Sequence, residues 1–456
     1  VQIRSTARIA RPAREVLEWL DRPGAVVRLT PPGLATLDDP AEGGMRAGRV
    51  VGAHLGPALL PDLLRPAWVL HHAQGDPAAG RFVDQQASGP WRTWRHEHQV
   101  SADGPAASIV HDAIEIELPR ALRALEPLVT QRVRRLLAFR TRQLREDLAF
   151  HARFAHVPRR TVAITGSSGL IGTQLAALLE TGGHRVLRMR RGQSAREGEI
   201  AWDPQSGRLD VADLEGVDAV VNLAGRSIAT RWTASAQREI RDSRIQGTEL
   251  LARTLAGMRE GPSALIQASA VGIYGPRRPG ELLTEASAPG DGFLADVVRD
   301  WEAAAGGVRK DVRLALLRTP LVLSDGGGSL LPQLPLFWLG MGGRLTAPEA
   351  MLSWITLDDM VRAYTHAVLE PALEGPVNTV APDPVDAATF ARELGRALHR
   401  PALVPVPPIG PRLALGEGAD ELIRTDQKVS GARLRASGME VAHPRLREAL
   451  AHVLWR

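Results

Sequence analysis

Residues Thr161–Thr165 form a short apolar run that leads into Gly166-Ser167-Ser168-Gly169-Leu170-Ile171-Gly172, and an apolar helical pattern continues through Leu179. A second short run follows at His184–Met189. Strand, glycine turn, helix and strand in that order define a βαβ unit of a parallel sheet. The glycines are spaced for three tasks. Gly166 permits a sharp exit from the strand, Gly169 lets the backbone approach a pyrophosphate, and Gly172 lets the helix pack close to the sheet. Within this context the motif predicts dinucleotide binding rather than a structural turn alone.

Further strands support the reading. Asp218–Gly225 reads as a buried strand ending in Asn222-Leu223-Ala224-Gly225, whose small residues let a cofactor lie against the strand end. Leu265–Ser269 and Leu314–Arg318 extend the sheet. An enzyme that takes NAD usually ends its second strand with a carboxylate for the ribose hydroxyls. Here that end is Arg190-Arg191. Guanidinium groups pair with a 2′-phosphate, so NADP (NADPH) is expected in preference to NAD. The bland alternative is that one arginine is merely exposed.

Composition removes other chemistries. The 456 residues contain no cysteine, so thiol nucleophiles, disulfides and zinc–thiolate sites are excluded. All but two of the 56 basic residues are arginine, the exceptions being Lys310 and Lys428. Neither follows a P-loop glycine pattern. The net charge is only +5 and acidic residues are interspersed throughout, so no nucleic-acid partner is expected. No apolar run reaches the ~18 residues of a membrane span and no signal-peptide pattern opens the chain, which predicts a soluble cytoplasmic protein with no membrane partner. The oligomeric state is left open.

Residues 1–153 have another rhythm. Gln2–Ile9 alternates with the period of a half-buried strand, and Pro12 opens a short helix through Leu20. Candidate strands follow at Ala67–His72, Arg81–Gln86, Arg92–Val100 and Ala107–Leu118, and one long helix runs from about Leu122 to Phe154. That order predicts an α+β fold whose sheet wraps the last helix. His96 and His98 share one face of a strand. A metal would need further ligands such as His111 or Asp112, and the pair is read instead as hydrogen-bonded within the sheet, with no metal assigned. The nine arginines between Arg120 and Arg153 are read as a solvated face, with a docking surface for an anionic partner as the alternative.

Two resemblances accompany these readings. Phe82–Trp91, Trp94–His98, Asp112 and Leu118-Pro119 make residues 1–153 similar to the START-like, polyketide-cyclase-like (SRPBCC) superfamily. This implies a helix-grip domain with an apolar ligand in its cavity, joined by a linker at 154–160. Residues 161–456 resemble the extended short-chain dehydrogenase/reductase (SDR) superfamily, in its epimerase-like (YfcH-type) branch. The resemblance is carried by the glycine motif, Trp202-Asp203-Pro204, Asn222–Gly225, Arg231-Trp232-Thr233, Asp242-Ser243-Arg244, Ser269–Gly275, Trp301–Ala304, Leu339–Gly343 and Ser353-Trp354-Ile355. It implies an α/β Rossmann domain, with a substrate lobe and C-terminal extension from about residue 325. It places Gly166, Ser168, Gly169, Leu170, Ile171, Gly172, Arg190, Arg191, Leu223, Ala224, Gly225, Glu239, Arg244 and Val322 at the cofactor. Arg244, opening a helix after the Asn222–Gly225 loop, could itself reach phosphate or ribose; its alternative is a helix-surface arginine.

The resemblance breaks at the chemistry. Such enzymes use a Tyr-x-x-x-Lys pair for proton transfer, and here that stretch reads Phe293-Leu294-Ala295-Asp296-Val297. Ser269 and Tyr274 are the remaining catalytic candidates, with Ala270 competing for the serine's position and Tyr274 alternatively a packing residue. Asp291 and Asp296 are nearby carboxylates. Arg344–Pro348 and Thr356 depart from the family pattern in the substrate lobe, which detaches the chain from any inherited substrate. Two functions remain in view. One is an NADP-dependent oxidoreductase or epimerase of a small-molecule substrate. The other is a non-catalytic module that senses NADPH and is coupled to an apolar-ligand domain. In a third and weaker reading, the first domain carries cyclase or dehydrase chemistry.

Overall fold

The structure is a computed structural model that describes all residues except 40–43, 46, 58–59, 77–78, 193–195 and 408. The first body is a seven-stranded antiparallel sheet in the order β1-β7-β6-β5-β4-β3-β2. Its strands are β1 (Gln2–Ile9), β2 (Ala35–Leu37), β3 (Val50–Leu55), β4 (Ala67–Asp76), β5 (Arg81–Ser88), β6 (Thr93–Ala102) and β7 (Ser108–Glu117). Helices α1 (Ala13–Asp21) and α2 (Ala25–Arg28) lie between β1 and β2, and α3 (Glu126–Arg153) follows the sheet. Strict alternation along β7 turns Val110, Ile114 and Ile116 inward. They meet Val133, Leu137, Leu144 and Leu148, which share one stripe of α3. Burying each such side chain is worth about 1.5–3 kcal/mol.

Helix α3 keeps Arg132, Arg134 and Arg145 exposed, as a solvated face requires, but it is not solvated all round. Gln143, Asp147 and Phe150 are buried on its other side, and Phe150 belongs to the core of the second body. Arg28 of α2 donates to both carboxylate oxygens of Asp147, at 2.8 and 3.0 Å, and to Asp358 at 2.6 Å. Arg362 completes the cluster with Glu146 and Asp147. Burial alone would weaken the Arg28 charge, but Asp147 and Asp358 hold its pKa above the ordinary value. These opposed charges join the two bodies.

The second body is an eight-stranded sheet built on β8 (Thr161–Thr165), β9 (Arg185–Arg191), β10 (Glu199–Asp203), β11 (Arg208–Leu209), β12 (Ala219–Asn222) and β13 (Ala264–Ala270). The strands Arg313–Thr319 and Gly375–Asn378 close it. The order is β11-β10-β9-β8-β12-β13, then Arg313–Thr319 and Gly375–Asn378. All neighbours are parallel except β10 and β11. Both faces are buried, as near-continuous apolar strands require. Val162, Ile164 and Val221 face α4 (Leu170–Thr181) and the helix Leu357–Leu369, while Ala163, Val220 and Leu265 face α5 (Ala234–Gly257). α6 (Phe293–Ala305) packs beside α5. Strand order reverses between β8 and β12, which opens a crevice at their carboxyl ends. The late strand Asp426–Val429 pairs with Arg277–Leu283, so the lobe beside that crevice is stitched from segments on both sides of residue 325. Among the described residues no helix is long and apolar enough to cross a membrane.

Candidate functional site

The glycine turn sits at the crevice. Gly166 has φ +63°, the left-handed region that suits glycine. A Cβ at Gly172 would stand 2.2 Å from the Gly166 carbonyl oxygen, so only glycine lets α4 come this close. At Gly169 the nearest atom would be 3.3 Å away, and the residue is exposed. Gly169 caps α4 without a side-chain hydrogen bond, so first-turn N–H groups face the crevice. Ser168 is exposed beside it, while Leu170, Ile171, Leu223 and Val322 gather at the edge of one apolar core.

A buried polar relay holds this edge. Thr165 Oγ1 donates to Asn222 Oδ1 at 2.6 Å and accepts the N–H groups of Leu223 and Ala224 at 3.0 and 3.1 Å. Asn222 donates onward to Thr248 and Gln267, and Trp301 donates to Thr248 at 2.9 Å. Sequence reading missed Thr248 and Gln267. Gln267 carries a signal, a polar residue inside an apolar strand, whereas Thr248 sits in a helix rich in polar residues and carries none.

Two arginines at the end of β9 differ in their partners. Arg190 is tied to Glu199 at 3.1 Å. Arg191, one residue further, is exposed and has no hydrogen bond or ion pair among the described residues. Arg244 lies beside Gly225 and over the Trp301 ring at 5.1 Å, donating only to the carbonyls of Arg226 and Ile240. Among the described residues no carboxylate meets it, and burial pushes its pKa down to about 10. Glu239 is ion-paired with Arg226 at the rim.

The adjoining cleft measures about 890 Å³ with its mouth included. Arg244, Ala270, Thr319 and Ser353 contribute to its wall, with Leu294, Val297 and Trp301 of α6. Val297, expected from sequence at the lysine position of a Tyr-x-x-x-Lys pair, is thus an apolar part of this wall. Glu421 accepts the Phe293 and Leu294 N–H groups, both at 2.9 Å, and so occupies the N-terminus of α6.

Ser269 and Tyr274 are brought together, but beneath the cleft. Ser269 Oγ donates to Glu302 at 2.5 Å. Glu302 pairs with Arg318 at 2.8 Å, Arg318 donates to the Tyr274 hydroxyl at 2.9 Å, and that hydroxyl donates to Asn378 at 2.8 Å. Tyr274 is 0% exposed and burial raises its pKa. Neither residue lines the cleft. Asp291 and Asp296 are exposed, the latter paired with Arg299. Thr356 is fully buried and caps the helix Leu357–Leu369 through Asp359. His96 and His98 do meet within the first sheet, where both hydrogen-bond to Asp112 at 2.9 Å, whereas His111 pairs with Thr6 at the surface.

Residues 162–325 match the NAD dependent epimerase/dehydratase family, and residues 406–453 match the domain of unknown function DUF1731. The chain is 42% identical over 297 residues to the epimerase family protein Mb2239 of Mycobacterium bovis, covering 65% of this chain and 98% of that one. It is 34% identical to epimerase family protein SDR39U1 of Homo sapiens, covering 64% and 99%. A crystal structure of that human protein (isoform 2) with NADPH aligns at a TM-score of 0.59 with 33% identity, over 64% of this chain and 98% of that one. The structure of a nucleoside-diphosphate sugar epimerase from Corynebacterium glutamicum aligns over 99% of this chain and 90% of its own, with a TM-score of 0.79 and 32% identity. The chain belongs to the NAD-dependent epimerase/dehydratase family, in the SDR39U1-like group that carries DUF1731 at its C-terminal end.

Proposed function

We propose that the chain is an NADP-dependent oxidoreductase or epimerase-like protein of a small-molecule substrate. Arg244 carries this reading. A desolvated guanidinium that meets no carboxylate among the described residues, beside Gly225 of the loop that abuts Gly166, is suited to an anionic cofactor. Gly166, Ser168, Gly169, Leu170, Ile171 and Gly172 would cradle the pyrophosphate. Leu223, Ala224, Gly225 and Val322 would line the adenosine and ribose, with Glu239 at the rim. Arg191, with Arg190 behind it, would pair with the 2′-phosphate and so prefer NADPH to NADH. The NADPH-bound human relative supports that preference. When bound, the cofactor supplies hydride chemistry; this chain's residues bind it, orient it and exclude water. Ser269 and Tyr274 would serve by fixing the strand ends around it, since their hydroxyls are spoken for inside the protein. The test is calorimetric titration with NADPH and NADH, followed by NADPH consumption across a carbonyl panel. Equal affinity for the two cofactors would overturn the NADP assignment.

The same buried hydroxyls, with Val297 in place of lysine, favour a second reading: a non-catalytic NADPH-binding or sensing module. Turnover by any carbonyl substrate would eliminate it. In both readings residues 1–153 form an accessory helix-grip, START-like domain that holds an apolar ligand, supported by the cavity between its sheet and α3.

A further inference from the structure

The cavity of the first body is not uniformly apolar. Leu34, Met45, Val51, Trp68 and Leu70 give it greasy walls, and with its mouth included it measures about 1140 Å³. At one end stand His72, Asp84 and His96, with Arg140 reaching in from α3. Each carboxylate there already meets imidazoles, although Asp84 Oδ1 makes no hydrogen bond. Asp84 accepts from His98 at 3.1 Å and lies 3.3 Å from His72. Asp112 binds His96 and His98, each at 2.9 Å. Arg140 is left over: among the described residues no hydrogen bond or ion pair reaches its guanidinium. Asp84 and Asp112 act on it only from a distance, and burial outweighs them, lowering its pKa. A half-buried cation whose donors open only into a cavity gains from a partner there.

We propose that this cavity binds a small molecule with an apolar body and one carboxylate, the carboxylate forking onto Arg140 and the body lying along the walls of Leu34, Met45 and Leu70. This rests on the apolar-ligand reading of the first body and adds the charge of the ligand to it. A guanidinium presents two parallel N–H groups that match a carboxylate in shape as well as sign. The nearby Asp84, His96 and His98 do not form a ready metal cage, because carboxylates already take both ring nitrogens of His98.

The full chain is titrated with dansyl-labelled undecanoic acid and, separately, with its methyl ester, and dansyl emission is read. The acid is expected to bind at least about tenfold more tightly than the ester, the weight of one charge-assisted pair. Arg140→Met brings the acid down to the ester's affinity and leaves the ester unchanged. It also keeps or raises Tm in the unliganded chain, which a merely structural arginine would not do. Leu34→Trp, which fills the cavity, removes both. Acid and ester binding equally to the wild type would overturn the carboxylate proposal and leave the apolar cavity standing. Neither binding would overturn the cavity reading itself. If Arg140→Met does not fold, Arg140→Lys decides: a reduced acid-to-ester ratio supports the fork, and an unchanged ratio overturns it.

Discussion

Arg244 lies over the Trp301 ring at 5.1 Å, and among the described residues no carboxylate answers its charge. The ring offers the guanidinium a π face, worth about 0.5–2 kcal/mol, which is less than a full ion pair. Arg244→Met is therefore expected to leave the apo protein as stable as the wild type. NADPH affinity should fall about 10–100-fold, the range of a lost charge-assisted hydrogen bond. Calorimetry and thermal melting on the same samples check both halves.

Arg191→Glu separates the two cofactors. A carboxylate at the end of β9 repels a 2′-phosphate but suits ribose hydroxyls. NADPH affinity should drop more than about tenfold while NADH affinity holds or improves. Arg190→Ala should do less, because its guanidinium is already held by Glu199.

Tyr274→Phe removes the hydroxyl that joins Arg318 to Asn378. Two buried polar groups lose a partner, for an expected cost of about 1–3 kcal/mol. Chemical denaturation should report that loss while NADPH binding persists. Loss of cofactor binding without loss of stability would contradict the placement of this hydroxyl beneath the cleft.

His151 sets part of the pH response. Burial pushes its pKa down to about 3, so it stays neutral in the folded protein while the unfolded chain takes up a proton below about pH 6.5. Its contribution is complete above that pH and is lost as pH falls toward 3. At pH 5 the loss is about 2 kcal/mol. His151→Gln should therefore show a smaller fall in Tm between pH 7 and pH 5 than the wild type. An identical fall would reject the assignment.

The second body was the more legible in sequence. β8, the glycine turn and α4 lie where the apolar run, the glycine spacing and the helical pattern put them, because all three signals are local. In the first body the short strands β2 and β3 carry little pattern and were not foreseen. Arg132, Arg134 and Arg145 of α3 do form a solvated face, but nothing local reveals that Gln143, Asp147 and Phe150 meet a second sheet. Within the site, the glycines and Arg244 were legible from spacing. The Ser269–Glu302–Arg318–Tyr274 chain was not, because Ser269 and Tyr274 are linked through Glu302 and Arg318, which reach them only when β13, α6 and the strand Arg313–Thr319 pack.

Helix α3 carries Leu144 into one core and Phe150 into another, a turn and a half apart on a single rod. Neither core can melt without dragging this rod, and the rod cannot leave without exposing Asp147, Arg28 and Arg362 at once. The chain should consequently lose its heat-absorbing order in one calorimetric peak, with a van't Hoff enthalpy close to the measured one, although it contains two sheets.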